Sequence, residues 1–556
     1  MKILLTQLNY HVANFEGNLQ KMISAVEEGL NKNADLVIFS ELSICGYPPL
    51  DLLEQRDFVD ECIAFVNRLA KYSTDIGIVV GGPAINLNER GKNLYNAAYF
   101  LVGGEIRDIR FKTLLPTYDI FDEYRYFEPN NKFDVIEFRG KRIALTICED
   151  LWDDQPVENT FARSKLYPVS PMEKLVKQQP DIVINISASP FAASKIHDRK
   201  KVMAQNSKKY GLPIFYSNQV GANTELIFDG SSMVTGPDGS VYDEFPAFEE
   251  AIREYDLDDV LSLSRGSRIE DFAEVSGEYR IEMIHKALVY GLKDYFRKMD
   301  FTKATLGLSG GIDSAVTLAL ASEALGPENI RVLLMPSKYS SGHSINDSVE
   351  LAEQLGVEYD IISIQPVVDE VGVQLGPIFA DLPPDVTEEN IQARVRGVYL
   401  MALSNKLGYI LLNTSNKSEA AVGYATLYGD MNGGLSVLGD VYKTDVYRLA
   451  EFINRAGTII PVSIIQKQPS AELRPGQKDS DSLPDYDILD SILYMFIELK
   501  ETKQTIVNQG YDRELVNRVI SLVNRSEYKR FQSPPILRVS SKAFGLGRRI
   551  PLVANY

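Results

Sequence analysis

The sequence predicts an α/β protein with more than one domain, and three observations support this. Apolar strand-like runs alternate with amphipathic helical runs in both halves of the chain. The alternation stops near residues 249–274, where Asp, Glu, Arg and Ser are frequent, and then resumes. In the second half, an apolar run over 304–308 ends in a Ser-Gly-Gly turn and leads directly into a helical pattern over 313–325. We therefore expect mixed or parallel sheets flanked by helices.

The composition indicates a globular protein and argues against two classes of partner. The 556 residues are 45% hydrophobic and 24% charged, which is typical of domains with ample cores. The net charge of −18 argues against nucleic acid or an anionic membrane as the main partner. The first residues lack a signal-peptide pattern, and no apolar run is long enough to span a bilayer. Three cysteines, an odd and sparse set, indicate a reducing compartment, so we expect a cytoplasmic protein.

Three reactive side chains in the first half follow predicted strands. Glu41, Lys112 and Cys148 each come at the C-terminal end of an apolar, strand-like run, which is where open α/β sheets gather their sites. A thiol needs a base to become a strong nucleophile, and a carboxylate can be that base and later activate water. An ammonium can stabilise an anionic tetrahedral intermediate. Together they would cleave an amide through a thioester and release ammonia. Taken singly, each also fits a structural or surface role.

The sequence around these side chains resembles the nitrilase, or carbon–nitrogen hydrolase, superfamily. The matching segments are Phe39-Ser40-Glu41-Leu42 with Gly46-Tyr47-Pro48-Pro49, Lys112-x-x-Leu115-Pro116, and Cys148-Glu149-Asp150-Leu151-Trp152. They occur in the family's order and cover roughly the first half of the chain. The resemblance implies a four-layer α-β-β-α sandwich in which Glu41 is the general base, Lys112 the oxyanion stabiliser and Cys148 the nucleophile.

The same resemblance assigns residues to the amide substrate. In glutamine-using relatives the positions of Tyr118, Ser189 and Lys195 contact glutamine, although some relatives carry Arg in place of Lys195. The alternative for all three is ordinary loop polarity. Glu123 matches an extra glutamate seen near many nitrilase sites, or else it is a surface acid.

A charged segment separates the two halves of the chain. We predict an arm or linker over residues 249–275, between a first domain at 1–248 and a second at 276–556. Residues 278–299 then show the apolar spacing of a long amphipathic helix.

The run over residues 306–314 predicts a phosphate-binding turn. Its glycines let the backbone approach a ligand closely, and amides at the start of the next helix favour an anion. The run lacks the lysine and spacing of the Gly-x-x-x-x-Gly-Lys-Ser/Thr loop. Its Ser-Gly-Gly-x-Asp-Ser pattern instead resembles the loop of ATP pyrophosphatases, which split ATP between its α and β phosphates. Asp313 could hold Mg²⁺ against those phosphates. The alternative is an ordinary strand–turn–helix unit, in which the glycines only allow the strand and the helix to pack closely.

A second strand, over residues 409–413, delivers two more polar side chains to the same predicted edge. Thr414 could bind ATP. Glu419 could complete a metal site with Asp313, since Mg²⁺ bound to phosphates wants one or two carboxylates. Alternatively, Glu419 only stabilises the start of a helix. The acidic stretch 477–486 is either a lid or a solvated loop.

The second half resembles the NAD synthetase family over nearly all of its length. The resemblance rests on four segments: the loop at 306–314, the loop at 411–419, Glu389-Asn390-Ile391-Gln392-Ala393-Arg394 between them, and Pro469-Ser470-Ala471-Glu472-Leu473 after them. The resemblance implies a doubly wound parallel-sheet nucleotide-binding domain. It implies that ATP contacts Gly307, Leu308, Ser309, Gly310, Gly311, Ile312, Asp313, Ser314 and Thr414. It also implies that Asn390, Glu419 and Lys529 contact the dinucleotide.

Together the halves resemble the glutamine-dependent NAD synthetases. This implies ATP-dependent amidation of nicotinic acid adenine dinucleotide to NAD with ammonia from glutamine, through an adenylated intermediate that releases AMP and pyrophosphate. It also implies Mg²⁺ as cofactor and a homodimer or larger homo-oligomer. Two alternatives stay open: a pyrophosphate-loop amidotransferase acting on another carboxylate or on RNA, and a non-catalytic assembly protein with a vestigial first half. The charge of −18 speaks against RNA, and the intact trio speaks against a vestigial site.

Overall fold

The computed structural model describes residues 1–154, 166–262, 276–380 and 382–554. The chain divides into two compact units, the first drawn from residues 1–275 and the second principally from residues 276–556. Within the described residues, no helix is both long enough and apolar enough to cross a bilayer.

The first unit alternates strands and helices along the chain. Its elements are β1 (Lys2–Gln7), α1 (Phe15–Asn31), β2 (Leu36–Ile38), α2 (Arg56–Ala70), β3 (Gly77–Ile85), β4 (Leu94–Val102), β5 (Glu105–Phe111), α3 (Glu123–Tyr126), β6 (Ile136–Phe138), β7 (Lys141–Ile147), α4 (Pro171–Leu175), β8 (Ile182–Ser187), α5 (Asp198–Tyr210), β9 (Ile214–Asn218), β10 (Val220–Asn223), β11 (Leu226–Asp229), β12 (Met233–Thr235), β13 (Val241–Glu244), β14 (Ala251–Asp256) and α6 (Leu257–Ser262).

Two sheets, each of six described strands, form the centre of the first unit. Their orders are β14-β1-β2-β3-β4-β5 and β13-β12-β9-β8-β7-β6. Alternate residues of a strand face opposite sides, so Ile3 and Leu5 enter a core shared with Ile184 and Phe215 of the other sheet. Leu4 faces the opposite way and packs in the core formed with α1 and α2. Helices α4 and α5 cover the outer face of the second sheet. The four-layer α-β-β-α sandwich is therefore confirmed.

The expectation that strands cease after residue 249 is wrong for residues 251–256. This segment is strand β14, which pairs antiparallel with β1 from Lys2↔Asp256 to Gln7↔Ala251. It is an edge strand whose residues are mostly half-buried, so its sequence is as polar as that of a linker. Residues 263–275 of the expected arm lie outside the described residues, and the domain boundaries given above stay predictions.

The second unit is richer in helices. Its elements are α7 (Gly277–Lys298), β15 (Ala304–Gly307), α8 (Ile312–Leu325), β16 (Ile330–Leu334), α9 (Gly342–Leu355), β17 (Glu358–Ile361), α10 (Gln365–Phe379), α11 (Val386–Leu407), β18 (Ile410–Asn413), α12 (Lys417–Val422), β19 (Leu435–Ser436), α13 (Lys443–Ile453), α14 (Val462–Gln466), α15 (Tyr486–Ile497), α16 (Lys503–Asn508), α17 (Arg513–Arg525) and α18 (Glu527–Arg530).

The sheet of the second unit is parallel throughout its described strands. The order is β17-β16-β15-β18-β19, and every neighbouring pair is parallel. The chain starts in the middle at β15, builds outward to β17, and then returns to the other side of β15 with β18. The predicted doubly wound parallel sheet is confirmed. Ligands of such sheets bind at the carboxyl edge where the order reverses, which here lies between β15 and β18.

Candidate active sites

Lys112 lies between two carboxylates in the first unit. Its Nζ is 2.7 Å from Oε1 of Glu41 and 2.7 Å from Oε2 of Glu123, and all three side chains are buried. Burial lowers the pKa of Lys112, but the two carboxylates outweigh it and hold that pKa well above its ordinary value. Burial also raises the pKa of Glu123 to about 7, against the lowering effect of Lys112. Glu123 is therefore part of the cluster, and its interpretation as a surface acid is wrong.

Glu41 follows β2 in a tight turn and receives donors on both oxygens. Oε1 accepts from Lys112 and, at 2.7 Å, from the side-chain amide of Asn96 on β4. Oε2 accepts the backbone N–H of Ala188 at 2.9 Å. Sequence reasoning missed Asn96, although a polar residue inside the otherwise apolar strand β4 is a usable signal.

Cys148 directly follows β7 and starts a 3₁₀ turn that ends at Leu151. Its φ of +44° lies in the left-handed region, which a non-glycine residue occupies at an energetic cost. Burial raises the pKa of the thiol well above its ordinary value; Glu41 raises it further and Lys112 opposes. The thiol is therefore protonated at rest, and it needs a base to react.

Asp150 joins the turn of Cys148 to the segment after Lys112. Its Oδ1 accepts the backbone N–H groups of Thr113 and Leu114, both at 2.9 Å, and its Oδ2 accepts that of Ile147 at 3.0 Å. These three bonds hold the nucleophile and the lysine in one geometry. Asp150 matched the family motif, but its bridging role is visible only in three dimensions.

Tyr118, one of the predicted glutamine-binding residues, contacts a buried carboxylate, Glu149. The hydroxyl of Tyr118 donates to its Oε1 at 2.8 Å, and that of Tyr167 donates to the same atom at 2.9 Å. Burial raises the pKa of Glu149, and the exposed Lys195 opposes this electrostatically. Glu149, next in sequence to the nucleophile, therefore lies within the electrostatic reach of the Lys195 ammonium.

Ser189, the third predicted residue, sits on a rigid support beside the base. It comes one residue after Ala188, whose N–H binds Glu41. Its own N–H donates to Asn218 at 2.8 Å, and its hydroxyl accepts from Arg199 at 3.4 Å. Arg199 is itself held by a buried ion pair with Asp229.

A cavity of about 300 Å³ lies at the carboxyl edge of the sheet in the second unit. Of the predicted ATP-binding residues, the cavity is lined by Gly307, Leu308, Ser309, Gly311, Ile312, Asp313 and Thr414. Gly310 and Ser314 shape the loop instead. Gly310 has φ +75°, and a Cβ there would lie 2.4 Å from the carbonyl oxygen of Ser344, so only glycine fits. The Ser314 hydroxyl accepts the N–H of Ser309 and donates to the carbonyl of Gly311.

Two carboxylates at the cavity meet at one ammonium. The Nζ of Lys443 lies 2.5 Å from Oδ2 of Asp313 and 3.2 Å from Oε1 of Glu419. The two carboxylates raise the pKa of Lys443 against the effect of burial. Burial raises the pKa of Glu419 to about 8, although Lys443 opposes this. Lys443 begins α13, and no motif in the sequence singled it out.

The oxygen donors of Asp313 and Glu419 fit a magnesium ion that also binds phosphates. Within the described residues, no group of three or more His, Cys, Asp or Glu side chains is arranged to hold a metal. Two carboxylates at a phosphate loop are nevertheless the usual protein share of a magnesium–nucleotide site, the rest being phosphate and water oxygens.

Asn390 and Lys529 do not line the cavity but hold the segment 423–426, whose Tyr424 does. The hydroxyl of Thr426 donates to Oδ1 of Asn390 at 2.8 Å. The Nζ of Lys529 donates to the carbonyl oxygens of Gly423 and Ala425 at 2.8 and 2.7 Å. Their contact with a dinucleotide stays a prediction.

The stretch 477–486 reaches the cavity through Asp479. The carboxylate of Asp479 accepts from the hydroxyls of Tyr424 and Tyr486, the latter at 2.9 Å. These two tyrosines anchor the stretch beside the candidate ATP site.

Comparisons with known proteins cover the whole chain. The carbon–nitrogen hydrolase family model matches residues 2–265, and the NAD synthase model matches residues 284–533. The glutamine-dependent NAD(+) synthetase of Synechocystis sp. is 44% identical, with 100% of this chain and 99% of the relative aligned. The enzyme of the same name from Acinetobacter baylyi is 41% identical over 100% of this chain and 98% of its own length.

Two solved structures share the fold of this chain and align over nearly its whole length. The glutamine-dependent NAD+ synthetase of Acinetobacter baumannii, in complex with ADP, is 37% identical, has a TM-score of 0.75 and aligns over 99% of this chain and 98% of its own. A structure from Cytophaga hutchinsonii, 20% identical with a TM-score of 0.83 over 100% and 98% of the chains, shows the same fold. The chain therefore belongs to the family of glutamine-dependent NAD(+) synthetases.

Proposed function

We propose that the protein is a glutamine-hydrolysing ligase that converts nicotinic acid adenine dinucleotide to NAD at the expense of ATP. The observation that carries the proposal is Lys112, held between Glu41 and Glu123 beside Cys148, in a chain whose second unit joins Asp313 and Glu419 at a phosphate loop. An amide-cleaving site and an ATP site on one chain are what glutamine-dependent amidation requires.

In the first unit, Glu41 takes the proton of Cys148, and the thiolate attacks the side-chain amide of glutamine. Lys112 stabilises the oxyanion, and its permanent charge suits this role. Ammonia leaves, and water activated by Glu41 releases glutamate from the thioester. Glu149 and Lys195 have the charges to bind the amino and carboxylate groups of glutamine, with Tyr118 and Ser189 lining the same site.

In the second unit, the nicotinate carboxylate attacks the α-phosphate of ATP, and ammonia then displaces AMP. The loop from Ser309 to Ser314 directs backbone amides toward the phosphates. Asp313 and Glu419 would hold Mg²⁺, which when bound supplies positive charge against the leaving pyrophosphate. Lys443 brings a second positive charge to the same edge of the sheet.

We assign Thr414 to ATP, and Asn390, Glu419 and Lys529 to the dinucleotide. The support for Asn390 and Lys529 is indirect, because both hold the segment 423–426 at the edge of the cavity. A cytoplasmic location and the absence of a nucleic-acid partner also stay predictions, based on the three cysteines and the acidic charge.

We also infer that the protein forms a homodimer or larger homo-oligomer through α10 and α11. Every residue of α10 is at least partly exposed. Val373, Ile378, Val386 and Val398 on these helices are each more than 60% exposed, which is unusual for a surface left in water. Sedimentation of a variant with Val373→Asp and Val398→Asp tests this, since the inference requires a smaller species than wild type.

The function is tested with wild type and Cys148→Ala, each supplied with nicotinic acid adenine dinucleotide, ATP, Mg²⁺ and either glutamine or ammonium. The variant should lose NAD formation from glutamine and keep it from ammonium. Cys62→Ala, which removes an equally buried thiol in α2, should keep both. No NAD from either nitrogen source with wild type would refute the substrate assignment. Loss of both reactions in Cys148→Ala alone would refute the assignment of glutamine hydrolysis to the first unit and of NAD formation to the second.

A further inference from the structure

The side-chain amide of Asn96 lies between the two carboxylates of the first unit. Its Nδ2 is 2.7 Å from Oε1 of Glu41 and 3.4 Å from Oε2 of Glu123. The backbone carbonyl of Asn96 accepts the N–H of Lys112 at 2.8 Å, and its side chain is 1% exposed. One buried residue therefore contacts the base, the second carboxylate and the backbone of the lysine.

The neighbours of Asn96 determine which end of its amide faces them. An ionised carboxylate oxygen only accepts, so the NH₂ group must point toward Glu41, and Oε2 of Glu123 lies on the same side. The carbonyl Oδ1 points elsewhere, and among the described residues it has no hydrogen-bond partner. Buried amides with a purely structural role usually satisfy both ends. In Asn96 the satisfied end is the one that meets the carboxylates.

The contacts of Glu41 leave one place for a proton. Oε1 already accepts two hydrogen bonds, from Lys112 and from Asn96, which occupy both of its lone pairs. Oε2 accepts one, from Ala188. Its second lone pair has no donor in the part of the chain that the structure describes.

We propose that Asn96 is a positioning residue of the glutaminase, which occupies Oε1 of Glu41 and thereby makes Oε2 the atom that deprotonates Cys148. The inference rests on the function proposed above and goes one step further, to the atom that acts. The S–H bond breaks, its proton binds Oε2, and the electron pair left on sulfur forms the bond to the amide carbon of glutamine. The carbonyl π electrons move to the oxygen, which becomes the oxyanion.

Two variants of Asn96 separate this role from a structural one. Asn96→Leu keeps the approximate size and removes the donors. Asn96→Asp keeps the shape and donates only while it is protonated. Asn86→Ala is the matched control, because Asn86 is also buried, is at the end of β3, and donates to the carbonyl of Lys92 at 2.8 Å without touching a carboxylate of the site.

Glutamine hydrolysis is measured from pH 5.5 to 9, with ammonium-dependent NAD formation in the same preparations. Asn96→Leu should lower kcat for glutamine by about 10- to 100-fold, the usual cost of a displaced catalytic group. Its KM should change by less than about threefold, because the amide bonds Glu41 and Glu123 and not Glu149, the carboxylate proposed to bind the amino group of glutamine. Ammonium-dependent NAD formation and the Asn86→Ala control should stay near wild type.

Asn96→Asp should show a pH signature that a structural defect cannot produce. The new carboxyl would face the acids Glu41 and Glu123, the ammonium of Lys112, and the Cys148 thiol and Tyr47 hydroxyl of the same cluster. With two buried carboxylates beside it, its proton is retained to a raised pH. Glutamine hydrolysis should therefore decline as the pH rises, across a range where wild type does not decline.

Three outcomes would overturn the inference. They are wild-type kcat in both variants, an equal loss at every pH in Asn96→Asp, and a rise in KM without a fall in kcat. If wild type itself fails to hydrolyse glutamine, the proposed function fails, and this is seen before any variant is compared. If Asn96→Leu unfolds the first unit, which the fluorescence of Trp152 reports, the nearly isosteric Asn96→Asp decides.

Discussion

Lys443 forms an ion pair with Asp313, although 130 residues separate them in the chain. The lysine begins α13, and the aspartate lies in the first turn of α8. The same ammonium also contacts Glu419, so both candidate metal ligands are held together before any ligand arrives.

Replacing Lys443 by Met should abolish most NAD synthesis from both nitrogen sources. The change removes a positive charge from the phosphate edge and leaves Asp313 and Glu419 facing each other. Loss of one such preorganised group typically costs about 10²–10³-fold in kcat. Steady-state assays with glutamine and with ammonium measure the loss. Glutamine hydrolysis should remain, and Lys338→Met, which removes an exposed lysine, is the control. A variant as active as wild type would show that Lys443 is not part of the ATP site.

Replacing Gly310 by Ala should block ATP use through sterics and backbone strain. The φ of +75° disfavours any side chain, and the new Cβ would lie 2.4 Å from the carbonyl oxygen of Ser344. We expect ATP affinity, measured by calorimetry, to fall by at least about tenfold. Gly342→Ala on the neighbouring helix α9 meets no atom within 4 Å and should bind ATP normally. Equal affinities would contradict the assigned geometry of the loop.

Asp150→Ala should destabilise the first unit and slow glutamine hydrolysis together. The change leaves the buried N–H groups of Thr113, Leu114 and Ile147 without their acceptor. At about 1–3 kcal/mol for each unsatisfied group, the free energy of unfolding should fall by at least about 3 kcal/mol. Urea unfolding followed by the fluorescence of Trp152, the single tryptophan of the chain, measures it. Asp134→Ala, at an exposed position, should have little effect; an equal loss in both variants would count against the bridge.

The raised pKa of Glu123 predicts a pH dependence of stability. Burial raises this pKa from 4.5 to about 7, so the folded protein binds its proton more tightly than the unfolded chain does. The contribution to stability is complete below pH 4.5, is lost as the pH rises toward 7 and is flat above it. The loss from this group amounts to about 3 kcal/mol.

Glu123→Gln should remove this contribution. The urea midpoint reported by Trp152 should fall between pH 5 and 7 in wild type, and should fall less in the variant. Glu128→Gln changes a partly buried glutamate whose backbone N–H donates to Leu94 of β4; it is the control and should follow wild type. Parallel pH curves for wild type and Glu123→Gln would show that Glu123 is ionised at pH 5.

Much of the fold was predictable because the local signals are strong. Strand β15, the Ser-Gly-Gly turn and helix α8 follow one another directly in the chain, as the local pattern predicted. The pair Gly103-Gly104 is an equally local signal, and both residues adopt positive φ in the turn between the antiparallel strands β4 and β5. Strand β14 was missed because a half-buried edge strand carries the same charged residues as a linker.

The candidate sites were only partly predictable, for a related reason. Glu41, Lys112 and Cys148 each follow a strand, so their shared edge could be anticipated. Lys112 contacts Glu123 as well as Glu41. This double contact depends on how β4, β5 and the turn after β2 pack together. Glu149 and Asp150 stood inside a matched motif, but their opposite roles, one facing Tyr118 and the other bridging backbone amides, follow from the turn that begins at Cys148.

The sequence by itself determined the alternation of strands and helices, the two loops at strand ends and the chemical types of the reacting groups, because these depend on neighbours along the chain. Only the tertiary structure decided which charges meet. The pairing of Lys443 with Asp313, the placement of Asn96 between Glu41 and Glu123, and the support of segment 423–426 by Lys529 join residues far apart in sequence. Such contacts arise when separate elements pack and buried charges must find partners, and no local pattern records that requirement.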